Sequence, residues 1–257
     1  MRSYSQRADY ALNPAGKRLL TLMDKKKSNL CFNPDVTSQQ ELLHLADVVG
    51  PEICLLKTHV DILEDFTPDF PKRLVELADK HCFMIFEDRK FTDIGQVAKW
   101  QYSGGIYHIA DWAHITNASA LPGPGIIEGL KQVGLPKERG LILLAEMSSK
   151  GTLAKGHYTK ETLKWASDHQ DFVIGFVTTH RLTEEPAFIH FTPGVKLVKG
   201  GDDLGQQYLT PEIVIAKRGC DVIIVGRGIY KATDPLAEAK RYRSAGWNAY
   251  LERLSPV

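Results

Sequence analysis

The chain has 257 residues, of which 43% are hydrophobic and 25% are charged, so its composition is that of a globular protein with a sizeable core. Lysine and arginine total 32 and aspartate and glutamate total 31, which gives a formal net charge of +1. A nearly neutral molecule has no overall field that recruits nucleic acid or an anionic membrane surface, so any affinity for anions must be local.

Apolar segments of strand length recur along the whole chain. Most of them are continuously apolar rather than alternating, which is typical of parallel strands that are buried on both faces. Eight such segments are present, at 29–35, 53–59, 81–88, 114–119, 141–148, 171–178, 187–193 and 220–226. The pattern predicts eight strands of one parallel sheet.

Helix-like segments separate most of these strands. Candidate helix starts lie near 37, 65–71, 158 and 210, and flanking helices are predicted over 15–27 and 232–255. The fourth unit is ambiguous, because residues 102–114 offer two further short strand candidates. Strands alternating with helices, without a Pro- or Ser-rich linker, predict an α/β fold of the (β/α)8 TIM barrel type, with residues 1–257 as a single domain.

Polar residues follow most of the predicted strands. In a barrel these positions converge on the carboxyl-terminal rim, where active sites lie. A lone aspartate at such a position is more often a helix cap, but six polar strand ends together favour a functional site. They are Asp35, Lys57 and His59, Asp88 and Lys90, Asn117, Glu146 and Ser148, and residues 226–228.

Two glycine-rich segments indicate a phosphate site. VGRGI (225–229) follows the last strand, where backbone N–H groups and the Arg227 guanidinium can hold an anion. The segment 195–209 is long for a barrel loop, and we expect it to act as a lid in which Gln206, Gln207 and Tyr208 close over the phosphate.

The cysteines and the N-terminus indicate a reducing compartment. The four cysteines form no CxxC pair and lie in or beside apolar segments, so we expect buried, reduced thiols rather than disulfides or a metal site. The N-terminus lacks the apolar core of a signal peptide, and no apolar stretch approaches the ~20 residues of a membrane span. We therefore expect a cytoplasmic protein that binds neither membranes nor nucleic acid.

Five segments resemble, in order and spacing, the orotidine 5′-monophosphate decarboxylase family in its eukaryotic branch, which includes the decarboxylase domain of UMP synthase. The resemblance covers nearly the whole chain. The fragment FEDRKFTDIG, residues 86–95, also contains the DxKxxD pattern of the wider superfamily. The segments are LLKTHVDIL, IFEDRKFTDIG, LLAEMSS, GGDDLGQQY and IIVGRGI.

The resemblance implies an alternating array of catalytic charges. Lys57, Asp88, Lys90 and Asp93 match the family's catalytic residues, and Asp93 matches an aspartate donated to the neighbouring subunit, which implies a homodimer. Loss of CO2 from C6 of the orotate ring leaves a carbanion without an adjacent electron sink. No cofactor motif is present and no metal is expected, so stabilisation falls to a fixed Lys90 ammonium, which then delivers the proton that completes UMP.

The resemblance also implies a substrate-binding set for a nucleotide. Asp35 and His59 match residues near the ribose, and Ser148 matches the serine that contacts the pyrimidine. The predicted phosphate contacts are Gln206, Tyr208, Gly226 and Arg227, and the set further includes Pro193, Asn33 and Val97.

Two positions depart from the family pattern. Asn33 stands where this branch usually has serine, which we interpret as tolerated. Val97 stands where the family usually has a threonine that reaches across the dimer to the ribose, so a hydroxyl partner of the 2′-OH is predicted to be absent.

Two alternative functions stay open on the sequence. One is a metal-dependent sugar-phosphate decarboxylase or aldolase of the same superfamily, which shares DxKxxD. The other is a catalytically silent nucleotide-binding homologue. The match at Lys57 and the long glycine-rich segment argue against the first, and the intact charge array argues against the second.

Overall fold

Eight parallel strands close into a barrel in the computed structural model, which describes residues 1–197, 200–201 and 207–255. The barrel strands are β1 Leu30–Phe32, β2 Leu55–Thr58, β3 Met84–Phe91, β4 Ile115–Ser119, β5 Gly140–Leu144, β6 Val173–Val177, β7 Ile189–Thr192 and β10 Val222–Val225. Around the barrel the hydrogen-bonded order is β1-β10-β7-β6-β5-β4-β3-β2. Between β7 and β10, β8 (Gly200–Gly201) pairs with β9 (Gln207–Tyr208) in a separate antiparallel ladder.

Helices surround this barrel, so the predicted (β/α)8 TIM barrel is confirmed. They are α1 Tyr4–Ala8, α2 Pro14–Lys26, α3 Gln39–Val49, α4 Phe70–His81, α5 Gly95–Ser103, α6 Ile109–Trp112, α7 Gly125–Gly134, α8 His157–Asp168, α9 Arg227–Tyr230 and α10 Pro235–Leu254. Short 3-10 helices lie at Gly50–Glu52, Val60–Ile62 and Leu135–Lys137, and a π-helix lies at Ile213–Lys217.

The strands form where the sequence predicts them because their side chains are buried on both faces. Each of the eight apolar segments overlaps one barrel strand, and strands such as Leu30–Phe32 and Gly140–Leu144 are buried at every position. The third strand runs three residues past its predicted end, to Phe91, and therefore includes Lys90 as well as Asp88.

Local signals set where several helices begin. The Asn13 side chain accepts hydrogen bonds from the backbone of Ala15 and Gly16, and Pro14 occupies the first turn of α2. The helix α3 begins at Gln39, close to the predicted start near 37, and its first N–H group is satisfied by a distant residue rather than by the side chain of Ser38. The Asp65 carboxylate accepts from the Gln39 N–H at 2.6 Å, so the connection after β2 caps the preceding helix.

Two further connections differ from the prediction. Residues 102–114, which offered strand candidates, form the end of α5 and the short α6. The connection between β6 and β7 contains no helix, so one unit of the strand–helix alternation is incomplete.

Close glycine contacts fix α5 against α7. A Cβ atom added to Gly95 would lie 2.1 Å from the carbonyl oxygen of Gly125, and one added to Gly129 would lie 2.1 Å from that of Gly95. The two backbones therefore touch, as glycine alone permits. This contact fixes the start of α5, two residues after Asp93.

A buried charge cluster ties both ends of the chain to the amino-terminal side of the barrel. Asp221, just before β10, accepts from Arg7 at 2.5 Å and from Arg253 at 3.2 Å, and His190 Nδ1 lies 3.4 Å from its other oxygen. The two arginines keep the pKa of this fully buried carboxyl well below its usual range, against the opposing effect of burial. Removing one partner of such a pair typically costs about 3–5 kcal/mol.

The four cysteines are free thiols, as predicted. Cys31, Cys54 and Cys220 are buried, but the expectation of burial is wrong for Cys82. That residue ends α4 in the left-handed conformation, with φ 53°, which turns it to the surface. Within residues 1–197, 200–201 and 207–255, no helix combines the length and apolar character that crossing a bilayer requires.

Candidate active site

A cavity of about 300 Å³ opens at the carboxyl-terminal ends of the barrel strands. Its floor includes the apolar side chains of Phe86, Leu144, Val177 and Ile224, while polar groups line its walls. Ten of the fourteen predicted site residues line this one cavity. They are Asn33, Asp35, Lys57, His59, Asp88, Lys90, Ser148, Pro193, Gly226 and Arg227.

Two lysines share one buried carboxylate at the centre of the site. Lys57 Nζ lies 2.6 Å from Asp88 Oδ2, and Lys90 Nζ lies 2.8 Å from Asp88 Oδ1. Burial alone would raise the pKa of Asp88, but the charges of Lys57 and Lys90 outweigh it and keep this pKa well below its usual range. Burial also opposes the charge on Lys57, yet Asp88 and Asp35 raise the pKa of that lysine. Asp88 and Lys57 are therefore both ionised at neutral pH.

The backbone that presents Lys90 is irregular. The pairing of β3 with β4 shifts between Glu87 and Phe91, and Lys90 itself has φ 50°, in the left-handed region. For a residue with a Cβ this conformation costs about 1–2 kcal/mol. Strain of this kind persists where the surroundings impose it, and here it aims a charged side chain at Asp88.

Asn117 connects the two charged residues of β3 to β4. Its side-chain Oδ1 accepts from the backbone N–H of Lys90 at 2.8 Å, and its Nδ2 donates to Asp88 Oδ1 at 2.6 Å. The residue is fully buried. The sequence marked it as a polar strand end, but gave it no role in the site.

His59 lies against the array as a neutral base. Its Nε2 is 2.8 Å from Lys57 Nζ, 3.3 Å from Asp88 Oδ2 and 3.8 Å from Asp35 Oδ1. Burial, and then the charge of Lys57, lowers the pKa of His59. A neutral ring that accepts from an ammonium at Nε2 carries its own proton on Nδ1. Nearby, Asn33 Nδ2 donates to Asp35 Oδ2 at 2.8 Å. Asn33, which replaces the usual serine of the family, therefore orients Asp35, a residue predicted to contact the ribose.

Cations line the rim on the side of the last strand. Arg227 and Gly228 follow β10, and Lys196 follows the Pro193–Gly194 turn after β7; all line the cavity. A Cβ atom at Gly226 would lie 3.0 Å from the carbonyl oxygen of Asn33, so glycine lets the ends of β1 and β10 approach. Sequence reasoning did not single out Lys196.

The structure describes only part of the predicted lid, residues 195–209. Gln206 lies outside the described residues. The backbone of Tyr208 pairs with Gly200 in the short β8–β9 ladder.

Of the predicted residues whose side chains the structure describes, Asp93 and Val97 do not line this cavity. Asp93 is exposed, and its Oδ1 accepts from the Ile94 N–H at 2.7 Å. Val97 is half-buried on α5. Two large apolar side chains nearby in sequence are also exposed, Ile94 at 63% and Trp100 at 62%.

A second carboxyl group, Glu87, lies next to the array but is not part of the cavity. It is fully buried, its Oε2 is 2.6 Å from Thr58 Oγ1, and its Oε1 accepts from the Val60 N–H at 3.1 Å. Burial raises its pKa to about 8. Glu87 thus fixes the turn that follows Lys57, and it is protonated at neutral pH.

The profile of the orotidine 5′-phosphate decarboxylase / HUMPS family matches residues 28–242. The chain belongs to this family. Its relatives include the orotidine 5′-phosphate decarboxylase of Phycomyces blakesleeanus, 57% identical over 256 residues, with 98% of this chain and 96% of the relative covered. The enzyme of that name from Schizosaccharomyces pombe is 55% identical over 255 residues, with 98% and 97% covered. The uridine 5′-monophosphate synthase of Bos taurus is 54% identical over 254 residues, with 98% of this chain but 53% of the relative covered.

Solved structures of the orotidine 5′-phosphate decarboxylase family share the fold at low sequence identity. The crystal structure of orotidine 5′-monophosphate decarboxylase from Methanocaldococcus jannaschii, complexed with the inhibitor BMP, matches with a TM-score of 0.64. The match covers 85% of this chain and 98% of that chain at 19% identity. The barrel is therefore the family's architecture, and the resemblance stated from the sequence is confirmed.

Proposed function

We propose that the protein decarboxylates orotidine 5′-monophosphate to UMP, and that Lys90 is the proton donor. The observation that carries the proposal is the position of Asp88, whose two oxygens each accept from a different ammonium group at 2.6 and 2.8 Å. Relatives about 55% identical over nearly the whole chain are named for this activity, which supports the substrate.

The cavity offers a contact for each part of such a nucleotide. The phosphate fits the cationic rim formed by Arg227 and Lys196, and the ribose hydroxyls fit Asp35 and His59. Ser148 also lines the cavity and can bind the pyrimidine. Binding energy from the remote phosphate then contributes to holding the ring against the charge array.

The reaction breaks the bond between C6 and the carboxylate carbon, and CO2 leaves while the electron pair stays on C6. The Lys90 ammonium stabilises this charge and then transfers its proton to C6, after which solvent reprotonates the amine. At an effective dielectric near 20, attraction between unit charges about 4 Å apart is roughly 4 kcal/mol. Asp88 already holds the Lys90 ammonium in place, at 2.8 Å from its own Oδ1. The ammonium therefore attracts the charge that develops on C6 without having to reorganise during the reaction. Asp88 positions both lysines.

Asp93 completes the site of a second subunit in this proposal, so the protein acts as a homodimer. Its exposure outside its own chain's cavity supports a role in trans, and the exposed Ile94 and Trp100 are suited to an interface. The free thiols support a cytoplasmic location.

The test follows loss of orotidine 5′-monophosphate spectrophotometrically for the wild type and for Lys90→Ala. We expect Lys90→Ala to lose several orders of magnitude in kcat while it still binds UMP. The matched control is Lys99→Ala, which removes a lysine that donates to Gln132 on α7, away from the cavity. Turnover of Lys90→Ala within tenfold of the wild type would show that the lysine assignment is wrong.

The same assay separates the alternatives. A metal-dependent sugar-phosphate decarboxylase would lose activity in EDTA, whereas the proposed reaction is expected to be insensitive to it. A silent homologue would bind UMP without turning over orotidine 5′-monophosphate.

A further inference from the structure

One buried amide holds the segment that presents the catalytic charges. We propose that Asn117 is a positioning residue for the decarboxylation, which orients the Asp88 carboxylate and fixes the backbone of Lys90. The inference rests on the proposed function, because it assigns the catalytic charge to Lys90 and Asp88.

The register of the barrel creates the need for this residue. Three consecutive residues of β3, 88–90, face the single residue Asn117 on β4, so the regular ladder cannot satisfy their backbone. The Lys90 N–H instead donates to the Asn117 side chain at 2.8 Å, and Lys90 takes φ 50°. The flanking pairs that keep their register are Glu87 with Thr116 and Phe91 with Ala118.

The same side chain determines which way Asp88 faces. Asp88 Oδ1 accepts from Asn117 Nδ2 at 2.6 Å and from Lys90 Nζ at 2.8 Å, while Oδ2 accepts from Lys57 at 2.6 Å. Lysine side chains have four rotatable bonds, but the asparagine side chain has two and is fully buried. The amide is therefore the stiffer donor, and it sets the plane of the carboxylate that both lysines follow.

The two hydrogen bonds fix the orientation of the amide. The Lys90 N–H requires an acceptor and the Asp88 carboxylate requires a donor, so Oδ1 must face Lys90 and Nδ2 must face Asp88. Rotating the amide by half a turn would break both bonds at once. Asn117 therefore links the backbone of the catalytic lysine to the carboxylate that holds its ammonium.

Removal of this link should lower kcat more than it affects substrate binding. In Asn117→Ala the Lys90 backbone is free to leave its left-handed conformation and Asp88 is free to rotate. A misplacement of about 1 Å can cost on the order of 100-fold in rate. We expect kcat to fall about 10- to 100-fold, with KM changed less than about threefold, because Arg227 and Lys196 lie on other strands' connections.

The variant Asn117→Asp distinguishes a positioning role from a merely structural one, because only a positioning role predicts that its kcat depends on pH differently from that of the wild type. The new carboxyl group is buried beside Asp88, so burial and the like charge favour its protonated form, whereas the ammonium groups of Lys90 and Lys57 on Asp88 favour its ionised form. When protonated it restores both bonds, with a carbonyl oxygen for Lys90 and an O–H donor for Asp88. The ratio of its kcat to that of the wild type should therefore rise about tenfold or more between pH 8 and pH 5.5.

Thr116→Val is the matched control. Thr116 is equally buried on β4, and its Oγ1 donates to the backbone oxygen of Glu87 on β3 at 3.0 Å. Its loss removes one hydrogen bond between the same two strands without touching Asp88 or Lys90. We expect kcat within about threefold of the wild type, and UMP binding measured by calorimetry should be retained by all three variants.

Three results would overturn the proposal: kcat of Asn117→Ala within threefold of the wild type, an equal loss in Thr116→Val, or a pH-independent ratio for Asn117→Asp. If Asn117→Ala is insoluble, the pH dependence of Asn117→Asp decides alone. A wild type that does not decarboxylate orotidine 5′-monophosphate would refute the proposed function itself, and this inference with it.

Discussion

Glu87→Gln should make the protein more stable at neutral and alkaline pH. Glu87 is fully buried beside Thr58 and Val60, and burial raises its pKa from 4.5 to about 8. Glutamine reproduces the protonated form, since Oε1 can accept from the Val60 N–H and Nε2 can donate to Thr58 Oγ1. The substitution keeps the shape and the hydrogen bonds but removes the ionisation.

The size of the effect follows from proton linkage. In the unfolded chain Glu87 ionises near its ordinary value of 4.5, whereas in the folded protein it holds its proton up to about 8. Between these pH values the folded state binds one more proton, so the free energy of unfolding falls as pH rises, by about 1.4 kcal/mol per pH unit. Over the whole interval the loss is ~5 kcal/mol. Below pH 4.5 the loss vanishes, because the group is then protonated in both states.

Denaturant titrations of the wild type and of Glu87→Gln from pH 5 to pH 8.5 measure this difference directly. The stability of Glu87→Gln relative to the wild type should grow with pH and level off above about 8. Glu146→Gln is the control. Glu146 accepts from Thr178 and Thr179, and although burial opposes its charge, these bonds lower its pKa, so its contribution is lost only as pH falls below about 4.5. A stability difference for Glu87→Gln that stays flat with pH would refute the ionisation argument.

Three further predictions concern the substrate. Arg227→Ala should lower kcat/KM for orotidine 5′-monophosphate by about 10- to 100-fold, as loss of a charge-assisted contact implies; equal kcat/KM for nucleotide and nucleoside in the wild type would contradict the phosphate site. Mixing Lys90→Ala with Asp93→Ala, each nearly inactive alone, should restore activity toward one working site per mixed dimer, and no recovery after demonstrated subunit exchange would place Asp93 in its own chain's site. Val97→Thr should raise kcat/KM by a few-fold to about tenfold, and an unchanged preference for ribose over 2′-deoxyribose would show that position 97 does not contact the 2′-hydroxyl.

The sequence predicts the barrel well because the strands carry a local signal. Segments such as 220–226 are apolar at consecutive positions, and the parallel strands inside them are buried on both faces. The site is also accessible to sequence reasoning, because strand ends converge on one rim and place Asp35, Lys57, Asp88 and Arg227 around one cavity.

Other features depend on contacts between residues that are far apart in the sequence, and these contacts could not be predicted from it. The role of Asn117 arises from a register shift between β3 and β4, and the sequence around position 117 contains no signal that predicts this shift. Glu87 looks like one more member of a charged run, yet the strand's alternation turns it away from the cavity into the barrel wall. The cap of α3 comes from Asp65, which is 26 residues away from the Gln39 N–H that it accepts. Each of these contacts joins two segments that are distant in the sequence. The role of either residue therefore becomes clear only when both segments are located in the fold.

The charges around the cavity explain how a nearly neutral protein can select an anionic ligand. The whole chain has a formal net charge of +1, but among the described residues the cavity lining has four cations and two acids. The cations are Lys57, Lys90, Lys196 and Arg227, and the acids are Asp35 and Asp88. Orotidine 5′-monophosphate has a phosphate and a ring carboxylate, so it meets a local excess of positive charge, part of it inside the barrel where screening by salt is weak. Decarboxylation removes one of these anionic groups, and UMP therefore retains the phosphate attraction but loses the one at the ring. In the proposed reaction the site thus holds the substrate at both ends and the product at one, a difference that favours release of UMP.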